Sequence, residues 1–126
     1  MKIATIIIRI LFGLLMAFSG AVVLFNLVDQ PELPAGPLKT FNEGLTASGY
    51  LLQLIKITEL VGGLALVAGF FVPLATVVLF PISLNIFLCH LFIAPDGLLV
   101  GVLVLLANLF LAFAHRKNYE PILQMR

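Results

Sequence analysis

Apolar residues along this chain fall into four long runs separated by polar intervals of unequal length. Crossing a hydrocarbon core as a helix takes roughly 20 such residues. The runs at about 3–28, 50–72, 74–93 and 98–114 meet that length. None shows the two-residue alternation of an outer-membrane barrel strand, so the pattern predicts helices, whose backbone hydrogen bonds are satisfied internally. The expected fold is all-α: one domain, residues 1–126, forming a four-helix transmembrane bundle. The first interval, 29–49, carries Pro31, Pro34, Gly36 and Pro37 in its first half. Its second half, Thr40–Ser48, reads as a short interfacial helix with Phe41 and Leu45 on one side. The second and third runs meet in a tight turn at Pro73, and Ala94–Gly97 reads as a reverse turn.

Composition agrees with a lipid environment. Of 126 residues, 62% are hydrophobic and 10% charged, and seven Lys/Arg with six Asp/Glu cannot cover a soluble surface without large apolar patches. Mean hydropathy is +1.20. A net charge of +1, with no basic stripe, excludes nucleic acid as a partner. The single cysteine, Cys89, excludes an internal disulfide, a CxxC pair and a thiolate-rich metal site. Charge is distributed unevenly. Lys2 precedes the first span and His115, Arg116, Lys117 and Arg126 follow the fourth, whereas the intervals on the other side hold Asp29, Glu32, Glu43 and Asp96 against one Lys39. The positive-inside rule then gives both termini in the cytosol. The first run, at about 26 residues, is too long for a signal-peptide core of roughly 7–15, so Ala17-Phe18-Ser19 is read as part of a span rather than a cleavage site.

Ionisable groups at membrane depth are costly and mark candidate sites. Glu59 lies nine residues into the second span, near mid-membrane, with Lys56 one turn before it, so the two can pair at i, i+3. Lys56, Glu59, Gly62, Gly63 and Gly69 share an arc of about 140°, and Gly13 and Gly20 lie on one stripe of the first span with Arg9 and Met16. These glycines predict close helix packing, with Glu59 pointing toward the bundle interior. Arg9, two turns from the N-terminal end, is expected to reach the cytosolic headgroups. In the third span Pro81 predicts a kink. Asn85 matches the depth of Glu59 and His90 that of Lys56, although Asn85 and His90 lie about 140° apart. Glu59, Lys56, Asn85 and His90 are therefore the candidate ligand-binding or proton-relay set; Glu59, Lys56 and at least one of Asn85 and His90 are expected to converge on an enclosed pocket in the outer half of the bundle. Ser19, Cys89 and Asn108 read as packing or interhelical hydrogen-bonding residues. Two histidines and scattered carboxylates do not have metal-ligand spacing, and no residue set of a self-contained catalytic centre is present.

The segment R-I-L-F-G-L-L-M-A-F-S-G (Arg9–Gly20), opening the first span, resembles the DoxX family of small four-span prokaryotic membrane proteins. T-E-L-V-G-G-L-A-L-V-A-G-F-F-V-P-L-A (Thr58–Ala75) is similar to that family's E-x-x-G-G-x-x-L-x-x-G block and the turn after it, and the third-span Asn85 and His90 fit as well. The resemblance implies a multi-pass protein of a prokaryotic inner (plasma) membrane. It further implies membership of a membrane-associated oxidoreductase complex, since the founding members are subunits of a thiosulfate:quinone oxidoreductase.

Three functions compete on these residues. The first is a redox-complex subunit whose polar pocket binds a quinone or lipid-like molecule. With no haem, flavin, iron–sulfur or metal motif, its electrons would come from a partner subunit. The second is a non-enzymatic scaffold or assembly protein, associated with lipids, a redox enzyme or further copies of itself. The third is a small proton-coupled exporter, against which stand the second-span position of Glu59 and the absence of Trp.

Overall fold

The computed structural model describes residues 2–29 and 32–124. Pro31 and Arg126, used above in reading the loop and the charge bias, lie outside the described residues, as do Met1, Gln30 and Met125. Six α-helices follow in order: α1 Lys2–Leu24, α2 Pro37–Ala47, α3 Leu51–Ala68, α4 Val72–Phe92, α5 Leu98–Ala114 and the single turn α6 Glu120–Leu123. Short 3₁₀ turns at Pro95–Gly97 and Arg116–Asn118 flank α5. There is no strand among the described residues. Four helical segments are long and apolar enough to cross a membrane: α1, α3, α4, and α5 with its preceding turn.

Local chemistry explains the helix ends. α1 stops at Leu24, four residues before the apolar run does, because Asn26 turns left-handed at φ 51°. The Leu27 N–H then bonds the Val22 carbonyl at 3.1 Å, the six-to-one closure of a Schellman motif. α3 closes the same way, with Gly69 at φ 84° and the Phe70 N–H on Ala65 O at 3.0 Å. This corrects the sequence reading of Gly69, which was expected on a packing face. It sits beyond the last turn, and its glycine serves the left-handed backbone. Phe71, also left-handed at φ 53°, delivers the chain into α4, where Pro73 occupies the first turn. α2 begins at Pro37 after Gly36. The Ser48 hydroxyl donates to Leu45 O at 2.7 Å and accepts from the Leu51 N–H at 2.8 Å, joining the end of α2 to the start of α3. α4 continues as one helix through Pro81.

The four long helices form a ring in the order α1, α3, α4, α5, with α5 closing back on α1. Glycine sets the tightest seam. A β-carbon added at Gly63 would lie 2.5 Å from the Ala17 nitrogen and 2.6 Å from Gly13 O, and one at Gly20 would lie 2.5 Å from Lys56 O. Gly62 faces the next neighbour, with Leu79 of α4 3.0 Å from such a carbon. Gly101 brings α5 against the Phe87 backbone of α4. Phe12, Met16, Leu66, Val72, Ala75, Leu79, Val104 and Leu111 fill the core. Thr76, Ser83 and Asn108 are buried among them. Asn108 donates from Nδ2 to Thr76 O at 3.1 Å, and the Thr76 hydroxyl donates to Val72 O at 2.7 Å. The outward faces carry exposed Ile, Leu, Val and Phe, as lipid-facing surfaces do. Past α5, Tyr119 donates its hydroxyl to Pro73 O at 2.7 Å, pinning the C-terminal segment to the α3–α4 turn. Burial pushes its phenol pKa up, which keeps the donor protonated.

Candidate functional site

α3 supplies the charges. One helical turn separates Lys56 from Glu59, and Nζ lies 3.1 Å from Oε2. That approach is an ion pair without hydrogen-bond alignment, since Oε2 is buried and has no hydrogen-bond partner. Lys56 donates instead across the α1–α3 seam to the Ser19 hydroxyl at 3.3 Å. Glu59 is 1% exposed. Lys56 is the cation beside this buried carboxylate, so the pair leaves no lone charge in the bundle.

α4 supplies the neutral polar groups. His90 Nδ1 lies 3.1 Å from Ala94 O. A carbonyl can only accept, so Nδ1 carries a proton and donates to it. Gly97 and Gly101 pack on the ring; a β-carbon at Gly97 would overlap it. Asn85 and Cys89 lie on the flank of α4. Asn85 is exposed and Cys89 half-buried.

All four candidate residues line one cavity of about 610 Å³ together with Ser19 and Cys89. Its roof is α2, through Phe41, Asn42 and Leu45, and most of its remaining wall is apolar: Leu15, Met16, Leu52, Ile55, Ile86 and Val104 among others. The expected enclosure is not what is seen, because the lining residues Leu15, Pro81, Asn85 and Val100 are themselves exposed. The volume falls within the roughly 300–1,000 Å³ of small-molecule sites, which likewise combine an apolar wall with a few polar groups. The arrangement can donate hydrogen bonds from Lys56 and Asn85, accept them at Asn85, present the free edge of the His90 ring, and hold an apolar body against the wall. The Lys56–Glu59 pair adds no net charge, which suits a neutral head group.

The sequence-predicted Arg9 is not in this site. Its guanidinium lies beside Gly69, where an added β-carbon would be 3.2 Å from Nη1, and its Nε is buried without a hydrogen-bond partner. The ion pair of Glu59 is with Lys56. Sequence reasoning missed Ser83, whose buried hydroxyl has no partner. Gly62 opposes Leu79, so on antiparallel α3 and α4 Ser83 is level with Glu59. Its signal was faint: a serine four residues past Leu79 on the buried stripe. Among the described residues no group of three or more His, Cys, Asp or Glu is placed to hold a metal ion.

The family model described as DoxX matches residues 4–91, which covers α1 through nearly all of α4. No curated protein and no solved structure matches the chain.

Proposed function

We propose, from the premise that this chain belongs to the DoxX family, that it is a membrane subunit of an oxidoreductase complex and that the cavity under α2 binds a quinone or another lipid-like molecule. The observation that carries this reading is the cavity itself: Lys56, Glu59, Asn85 and His90 set into a wall that is otherwise mostly apolar. An ammonium and an amide donate to the oxygen atoms of a neutral head, and the apolar wall covers the rest of such a molecule. The chain's part is to bind and orient the head group; the electrons come from a partner subunit. On this reading the protein sits in a prokaryotic inner membrane, with both termini cytosolic and α2 on the outer face. Lys2, Arg116 and Lys117 at one end, against Asp29, Glu32, Glu43 and Asp96 at the other, support that orientation.

Purification in nanodiscs, followed by mass spectrometry of extractable lipids and quinones and of co-purifying proteins, tests the proposal. A quinone or single lipid class retained by the wild type and lost in Asn85→Leu supports it. A ligand-free protein with no redox partner sinks it. A second reading, a scaffold without a ligand, draws on the Lys56–Ser19 hydrogen bond, which ties α1 to α3 whatever the cavity holds. That reading requires Glu59→Gln to change stability while leaving bound lipid unchanged.

A further inference from the structure

The cavity belongs to one half of the bundle. Its lining on α1 starts at Leu15, on α3 ends at Glu59, on α4 starts at Pro81, and on α5 ends at Val104; with α2 above, the whole lining lies toward the α1–α3 connection. Toward the other face the bundle closes. Met16, Leu66, Leu79 and Leu111 are each at most 1% exposed, and Phe12 is 3% exposed. On the α1–α3 seam the backbones touch through Gly13 and Gly63, which leaves no room for water. The polar groups within this layer, Thr76 and Asn108, are buried and do not line the cavity. Asn108 is bonded to Thr76 O, and Leu79 and Val104 intervene on their helices between Asn108 and Ser83. A proton or hydrated ion crossing the layer would give up its hydrogen bonds and meet only the unpartnered Asn108 Oδ1 in their place.

We infer that the cavity is a one-sided vestibule, in which Lys56, Glu59 and His90 exchange protons and solutes only with the face carrying the α1–α3 connection. The layer of Met16, Leu66, Leu79 and Leu111 insulates them from the face carrying the chain ends. The titratable groups in contact with the cavity are Lys56 and Glu59 from α3 and Cys89 and His90 from α4. α1 adds Ser19, α2 adds Asn42, and the α5 residues in its lining are Val100 and Val104. A proton taken up or released by a bound molecule therefore enters or leaves on the α2 side. That last consequence rests on the cavity being a ligand site; the barrier does not.

The chain's single cysteine reports on the access route, because Cys89 lines the cavity. In proteoliposomes, Glu43→Cys and Lys117→Cys in a Cys89→Ala background mark the two faces. A membrane-impermeant methanethiosulfonate should modify native Cys89 from the Glu43 face at least about ten-fold faster than from the Lys117 face, since thiol reactivity follows access. Equal rates, faster reaction from the Lys117 face, or no reaction from either face would each overturn the vestibule. Passive proton entry into vesicles containing a pH dye gives a second measurement. Leu79→Ser should raise the leak above the wild-type level, and a wild-type leak already as large would show that the layer is no barrier. Should Leu79→Ser fail to fold, the labelling of the native chain still decides. A protein that labels from one side but binds no quinone or lipid would refute the proposed function and leave the vestibule standing.

Discussion

Glu59 is 1% exposed inside the helix bundle and has the Lys56 ammonium 3.1 Å away, a buried pair in which each charge compensates the other. Removing either partner leaves the other alone in a place where water cannot reach it well. Lys56→Met and Glu59→Gln should each lower stability in detergent, by about 3–5 kcal/mol where the remaining charge stays buried, and the double variant should recover much of the loss. Thermal unfolding of the four proteins checks this; additive losses would mean that the two groups act independently. Glu59 was legible in the sequence because a carboxylate in a run of Leu, Ile and Val is costly in lipid and so marks the bundle interior. Ser83 and Thr76 were not. A small hydroxyl in a membrane helix commonly bonds its own helix at i−4, as Thr76 does to Val72, and its sequence context does not say whether it faces a neighbour. His90 was legible as a polar residue of the third span, but it lies in the last turn of α4, nearer the α4–α5 connection than the depth of Lys56. Its bond to Ala94 O depends on how the chain turns after α4, which no periodicity encodes.

At the scale of elements, the α1–α3 seam is held by absent side chains. Gly63→Leu places atoms where Ala17 N and Gly13 O already stand, with backbone on both sides unable to yield. Overpacking typically costs about 1–3 kcal/mol, and rigid neighbours put this case at the upper end. Gly44→Leu on α2, with nothing within 4 Å of the added carbon, is the matched control. Folded yield by size-exclusion chromatography should fall for the first and hold for the second; equal, mild effects would mean that α1 and α3 can separate without loss. Gly97 cannot serve as that control, although a reverse-turn glycine invites the choice, because the His90 ring occupies the space. The helices themselves were legible from run length, and α2 from Phe41 and Leu45 at helical spacing after a proline-rich stretch. Their ends were less so. Hydrophobicity continues through Leu27 and Val28 after the α1 backbone has turned at Asn26, since apolar side chains do not reveal a left-handed residue.

Taken whole, the described residues place the cavity that holds Lys56 and Glu59 toward α2 and the apolar layer toward the chain termini, with most of the other charges at the two ends. The order of the helices around the ring follows from glycine contacts that a linear reading could list but not pair. Gly62 and Gly63 are neighbours in sequence and serve different partners, Leu79 of α4 and Gly13 of α1. Helix length has a further consequence. α1 has 23 residues and α3 has 18, which at ~1.5 Å per residue makes them about 34 Å and 27 Å long. The guanidinium of Arg9 beside Gly69 sets the first seven residues of α1 beyond the end of α3, so the overhang is at the terminal face. A bilayer core of roughly 30 Å cannot match both helices, and the glycine seam prevents them from sliding to share the difference. The membrane should therefore thin along the α3 side and stay thick along α1, which makes the protein sensitive to acyl-chain length. Reconstituted into a series of phosphatidylcholines, it should melt at its highest temperature in short- to medium-chain bilayers and lose stability steadily as the chains lengthen. A flat response across the series would mean that α1 takes up the mismatch by tilting alone.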